Sequence, residues 1–128
     1  MEKSYKEHEM KQVVAFDFDG VIHSYRSGWQ GVGVITDKPV PGIRDVLRGL
    51  RSEGYEIVIY TCRAREFEGY KAVVKWLTAN KMIEFVSEIT QTKPIAKCYV
   101  DDRSIRFDGT VQNLIAEIKN FSSWTERY

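Results

Sequence analysis

Two carboxylates one residue apart, Asp17 and Asp19, close the apolar run Val13-Val14-Ala15-Phe16 and are followed by Gly20. In an extended strand, residues two apart share a face, so the pair either stands side by side or crowns a strand end. Anions that close repel each other, and a shared proton, a basic neighbour or a divalent cation must compensate. A second acidic pair, Asp101-Asp102, closes the short apolar approach Tyr99-Val100. A third run, Ile57 to Tyr60, ends in the hydroxyl of Thr61. Alone, each of these ends reads equally well as solvated surface. Together they are three strands delivering polar groups at their C-terminal ends, where parallel α/β sheets bind ligands. One site assembled from several strands is the expectation.

The elements that must position these groups follow from the hydrophobic pattern. Residues 1–11 carry no periodicity and read as a lead-in. The first strand spans about 12–17, and its near-continuous apolar character fits a central strand covered on both faces. The segment 21–41 is long for a connection and holds Gly28, Gly31 and Gly33; a β-hairpin flap is expected, with Trp29 either packed on the domain or overhanging a site. After Pro39-Val40-Pro41-Gly42, the helical spacing of Ile43, Val46, Leu47 and Leu50 predicts a helix over 43–53. A second strand follows over 55–60. A second helix over 65–80 carries the stripe Phe67, Tyr70, Val73, Val74 and Leu77, expected in the core. A weaker strand over 84–89, a short one over 97–101, a turn or hairpin from Arg103 to Asp108-Gly109 and a helix over 110–121 bearing Val111, Leu114, Ile115, Ile118 and Phe121 complete the domain. Residues 122–128 read as a tail. This alternation predicts a single α/β domain: a Rossmann-like, doubly wound, mostly parallel sheet with helices on both faces.

Size and composition narrow the function classes. At 128 residues the chain holds one core. Its 19 basic and 18 acidic residues leave a net charge of +1, which gives no bulk field for nucleic acid or an anionic membrane. Lys93, Lys97, Arg103 and Arg106 cluster in sequence and read either as a local basic patch or, for most of them, as scattered charges on a solvated face. No apolar run approaches the roughly 18 residues of a membrane span, and the N-terminal residues are too polar for a signal peptide, so a cytoplasmic protein is expected. Cys62 and Cys98 make neither a disulfide framework nor a metal cluster, and the reading for both is a buried reduced thiol.

Asp17-Phe18-Asp19-Gly20, Thr61-Cys62-Arg63, Thr92-Lys93-Pro94 and Val100-Asp101-Asp102 resemble, in order, the four motifs of the haloacid dehalogenase superfamily. The likeness runs from Val13 to about Asp108 and is nearest to small phosphatase-like members of phage and bacterial type. It implies a Mg²⁺-dependent phosphatase acting through an aspartyl-phosphate. Asp17 would be the nucleophile and Asp19 the group that protonates the leaving oxygen and then activates water. Thr61, Lys93, Cys62 and Arg63 would contact the phosphate. Asp17, Asp101 and Asp102 would ligate the metal with the Asp19 position, which in the family offers its backbone carbonyl; Asp101 is favoured as direct ligand, with Asp102 acting through water or holding Lys93. The residue types suit this chemistry, since hard carboxylate oxygens match Mg²⁺ and cations must offset the approach of a phosphoryl dianion to an anionic nucleophile.

Departures from the pattern shape the rest. Residues 21–41 and 62–92 leave no room for the cap domain that many relatives carry. An open site fits a phosphorylated macromolecule end, nucleic acid entering only as substrate; a lid formed by the flap or by a second subunit of a homo-oligomer fits a small phosphate ester. His23, Tyr25, Arg26, Trp29 and Arg63 are the expected specificity residues, His23 being more a loop residue than a catalyst. A phosphotransferase would need the same groups. A non-enzymatic phospho-accepting domain like the bacterial receiver has an acidic pair, a Thr and a Lys in a different order, and a binding module that has lost turnover would not need every catalytic residue type.

Overall fold

The structure, a computed structural model, describes residues 12–127; the lead-in expected over 1–11 lies outside the described residues. Four strands, β1 (Val13–Asp17), β2 (Glu56–Tyr60), β3 (Glu88–Thr90) and β4 (Cys98–Val100), form one sheet in the order β3-β2-β1-β4. Every pairing is parallel. Starting from β1, the chain steps outward to β2 and β3 and then returns to the opposite side of β1 for β4. That reversal leaves a crevice at the C-terminal ends of β1 and β4, the topological switch point of a Rossmann-like doubly wound α/β fold.

Helix α1 (Ile43–Ser52) connects β1 to β2, and α2 (Phe67–Ala79) connects β2 to β3. Alternate residues of the central strands, Val14 and Phe16 of β1 with Ile57 and Ile59 of β2, join Ile43 and Leu47 of α1 and Val73, Trp76 and Leu77 of α2 in the core. Ala15 and Val58 point to the opposite face and are also buried, which accounts for the unbroken apolar reading of both strands. Helix α1 ends because Gly54 adopts φ +91° while the Tyr55 N–H reaches back to the Leu50 carbonyl, a closure that favours glycine past the last turn. Helix α2 starts at Phe67, two residues later than its hydrophobic spacing predicts. A 3₁₀ turn, Cys62–Arg65, occupies the entry, capped by Thr61, whose Oγ accepts from the Arg63 N–H at 3.2 Å. Gly69 of α2 lies against this turn so closely that a Cβ would collide with the Arg63 carbonyl.

Several expectations are corrected. The flap is no two-stranded hairpin. Its base is closed by an isolated antiparallel bridge, His23 to Pro39, and above it the positive φ of Tyr25, Gly28 and Gly31 breaks the extended ladder that a hairpin requires. On α2, Gly69, Val73, Trp76 and Leu77 are the buried residues; Phe67 and Tyr70 face outward, because the core-facing stripe is rotated from the aromatic one. The segment predicted as a strand over 84–89 is a 3₁₀ turn (Ile83–Phe85) followed by β3. Residues 103–107 form no strand. The last helix, α3, is shorter than predicted, Leu114–Asn120, which leaves Val111 outside it; Val111 and the helical Ile115 and Ile118 are exposed, since periodicity reports an amphipathic helix, not the surface that would cover it. Cys62 and Cys98 are exposed free thiols, one opening the 3₁₀ turn and the other on the edge strand. Among the described residues, no helix is long and apolar enough to cross a membrane.

Candidate active site

Asp17 is the last residue of β1, beside Tyr60 at the end of β2. Asp101 and Asp102 follow directly on β4, which pairs with the other side of β1. The sheet thus brings Asp17, Asp101 and Asp102 together, each offering a carboxylate oxygen within 4.8 Å of the others'. Burial, the hydrogen bond with Asp102 and the charge of Asp101 raise the pKa of Asp17 to about 8, a sign that this cluster lacks positive charge of its own.

The two later carboxylates are held by different hands. Asp101 accepts from the Tyr60 hydroxyl at 2.7 Å and from the Arg103 N–H at 2.8 Å; burial and this bond to an anion push the Tyr60 phenol upward. Asp102 accepts from the buried Ser123 hydroxyl at 2.9 Å through Oδ2, and among the described residues no ion pair joins it to Lys93, which lies over the Tyr99 ring. Its Oδ1 is the only buried side-chain oxygen or nitrogen without a hydrogen-bond partner among the described residues. A buried orphan acceptor on a carboxylate is costly. Three clustered carboxylates with an unpartnered buried oxygen among them form a donor set that fits a hard divalent ion such as Mg²⁺.

Gly20 sits at the centre of this assembly with φ +88°. A Cβ there would overlap the Asp102 carboxylate, and the Gly20 carbonyl accepts from the Trp124 indole at 2.7 Å. Gly20→Ala is therefore expected to destabilise the protein by about 2 kcal/mol and to weaken Mg²⁺ binding, both readable by thermal unfolding with and without the ion. A variant that keeps wild-type affinity and stability would mean that Asp102 has freedom the packing denies it.

Asp19 is not among the clustered carboxylates. Its side chain turns to Arg63, whose Nε meets Oδ2 at 2.8 Å and whose Nη2 meets Oδ1 at 3.1 Å, and to His23, whose Nδ1 donates to Oδ1 at 2.9 Å. Burial opposes the ionised form, but the bonds from His23 and Arg63 outweigh it and hold Asp19 below its usual range. The tautomer of His23 is fixed from the other side, because its Nε2 accepts the Asp37 N–H at 3.2 Å. His23 is 2% exposed, so it supports Asp19 and does not face solvent or substrate.

Arg63, expected on the phosphate, is turned the other way. It is fully buried, and its Nη1 donates to the carbonyls of Gly31, Val32 and Val34 at 2.8 to 3.2 Å. Trp29 covers the guanidinium with its ring centroid at 4.6 Å while remaining half exposed. Trp29 thus packs on the domain through Arg63, with its other face open. Thr61 is buried at the end of β2 and accepts from the Arg63 N–H, leaving its own hydroxyl hydrogen to donate. Lys93 lies over the Tyr99 ring, 4.2 Å from its centroid, and Tyr99 stands edge-on to Tyr60. Cys62 and Arg26 are on the exposed surface of the turn and the flap.

Ser123, Trp124 and Tyr60 are the site residues that the sequence did not disclose. The segment taken for a tail is a 3₁₀ turn, Trp124–Arg127, clasped to the site by Ser123 and Trp124 and by Arg103, which meets Glu126 at 2.6 Å. A Ser-Ser-Trp sequence carries no signal for a partner about a hundred residues away. Tyr60 offered the one available hint, a polar tip on the strand residue that immediately precedes Thr61.

Fold and site together define an α/β domain with an acidic cluster at the switch point of a parallel sheet. The structure is similar to that of a conserved protein from Bacteroides thetaiotaomicron, with a TM-score of 0.56 and 21% identity over 92% of this chain and 98% of that one, a likeness of fold alone. No protein-family model matches the sequence, and no curated protein matches it.

Proposed function

We propose that the chain is a phosphatase of the haloacid dehalogenase type, hydrolysing a phosphate monoester with Mg²⁺ through an aspartyl-phosphate on Asp17. The observation that carries this reading is the convergence of Asp17, Asp101 and Asp102 within 4.8 Å at the switch point, beside the buried hydroxyl of Thr61. Asp17, Asp101 and Asp102 would hold the ion, which when bound neutralises charge on the phosphoryl oxygens.

The residues of the chain do the rest. An oxygen of Asp17 attacks phosphorus as the bond to the ester oxygen breaks. That oxygen departs with a proton that Asp19 must first take up against the bonds from His23 and Arg63, which favour its ionised form. Water then attacks the phosphorus of the aspartyl-phosphate and loses a proton to the Asp19 carboxylate, and the bond from phosphorus to Asp17 breaks. Inorganic phosphate leaves and both aspartates are restored. The network of Arg63 and His23 stabilises the ionised Asp19 that the second step requires. Thr61 donates to a phosphoryl oxygen. Lys93, on the rim above Tyr99, supplies positive charge as the dianion enters.

The test is hydrolysis of an aryl phosphate by the intact chain with Mg²⁺ and with EDTA, beside Asp19→Asn. Metal-dependent turnover, diminished in Asp19→Asn, is expected. Absence of turnover with Mg²⁺ across aryl phosphates, nucleotides, sugar phosphates and phosphorylated oligonucleotides would overturn the reading in favour of a binding domain.

A further inference from the structure

The flap, residues 24–38, makes few backbone bonds with the rest of the domain. At its base the Ser24 N–H donates to the Lys38 carbonyl, and the Asp37 carboxylate ties down Ser27 at 2.6 to 2.7 Å. Its middle, Trp29 to Val34, has a different anchor. Three carbonyls there converge on one nitrogen of Arg63, and the Trp29 ring lies on the same guanidinium. The other two nitrogens of the fork hold both oxygens of Asp19. A planar five-donor group with fixed geometry cannot turn toward one partner and keep the other.

We propose that Arg63 is a positioning residue that makes the closed flap and the orientation of Asp19 one mechanical unit. A flap that lifts takes its carbonyls and the Trp29 ring from the guanidinium, and Asp19 loses its fixed bearing; a displaced Asp19 conversely frees the flap. His23 completes the unit, because it touches Asp19 through Nδ1 and the flap residue Asp37 through Nε2. Closure over a substrate would thereby set the proton-transferring carboxylate in place without a cap domain. The kinetic consequence rests on the phosphatase reading, whereas the mechanical one does not.

Two measurements separate these. The first is trypsin cleavage of the intact chain at the exposed Arg26–Ser27 bond, followed by mass spectrometry. Asp19→Asn keeps the shape of the side chain but loses its charge, and is expected to speed this cut by about fivefold or more, as is Trp29→Ala, while Asp17→Asn leaves it unchanged. Arg63→Lys retains charge without the fork and should behave like Asp19→Asn; should that buried substitution unfold the protein, the first two variants still decide. In the same samples, Trp29→Ala should shift or broaden the proton resonance of His23 Nδ1, because the flap end reports at Asp19. Unchanged cleavage in Asp19→Asn, or an unmoved His23 signal in Trp29→Ala, overturns the coupling.

The second measurement is a double-mutant cycle on aryl phosphate hydrolysis. Trp29→Ala is expected to lower kcat about tenfold with KM within twofold, and to have no further effect in the Asp19→Asn background. Additive losses would show that Trp29 acts on the substrate directly and would overturn the positioning role. If the wild-type protein hydrolyses nothing, the phosphatase reading falls, and the protease and resonance results alone decide whether Arg63 links the flap to Asp19.

Discussion

Asp17→Asn is expected to abolish Mg²⁺-dependent hydrolysis of an aryl phosphate, a loss on the order of 10³-fold or more, with the far-ultraviolet dichroism of the folded protein retained. The amide occupies the same space at the end of β1, so the sheet and the switch-point crevice persist. What disappears is the carboxylate of the last residue of β1, and with it the proposed nucleophile. The same change replaces a carboxyl whose pKa is raised to about 8 by an amide that carries no charge at any pH, so the metal-free variant should be no less stable than wild type while losing Mg²⁺ affinity. Retained turnover in this variant would refute the nucleophile assignment. A variant that fails to fold would show that Asp17 has a structural role its surroundings do not suggest.

A linked effect of comparable size appears without any substrate. The pKa of Asp17 rises from an ordinary 3.8 to about 8 in the folded protein, so between those values the folded chain retains a proton that the unfolded chain has released. For a group raised in this way, the stability it contributes is complete below about pH 4 and is lost as pH climbs through about 8. In EDTA, the melting temperature is therefore expected to fall between pH 5 and pH 8. Discounted for the partial exposure of the group, the loss is roughly 2 kcal/mol, or about 5 to 10 °C for a chain of this size. Mg²⁺ requires the ionised carboxylate, so its stabilising effect should grow over the same interval and cancel the decline. Asp17→Asn should show neither slope nor rescue. A wild-type melting temperature that is flat with pH in EDTA would contradict the electrostatic account of the cluster.

The sheet was legible because its central strands are buried on both faces and so spell apolar runs, and because each run stops at a polar residue. Asp17, Thr61 and Asp101-Asp102 could be assigned to one edge of the sheet from that pattern alone, and the structure gathers Asp17, Asp101 and Asp102 there. The orientation of side chains was harder to read. Arg63 adjoins Thr61 and carries a head suited to phosphate, yet three carbonyls of the flap and the carboxylate of Asp19 compete for it, and none of those distant partners is visible in a local motif. The aromatic stripe of α2 illustrates a related ambiguity: Phe67 and Tyr70 share helical spacing with Val73 and Leu77, but Gly69 and Trp76 determine which face meets the sheet. The flap failed as a hairpin for a local reason that composition only hinted at, the left-handed backbone at Tyr25 and at two of its glycines.

The clasp formed by Ser123 and Trp124 has a consequence for the order in which the protein matures. Asp17 and Gly20 are among the first residues of the domain to be synthesised, yet the hydroxyl that steadies Asp102 and the indole that seals Gly20 are added about a hundred residues later. A nascent chain can pair its strands and bury its apolar core while its acidic crevice remains unfinished. The acidic crevice is therefore completed only once Ser123 and Trp124 have been added, which separates the acquisition of the sheet from the completion of the crevice in time.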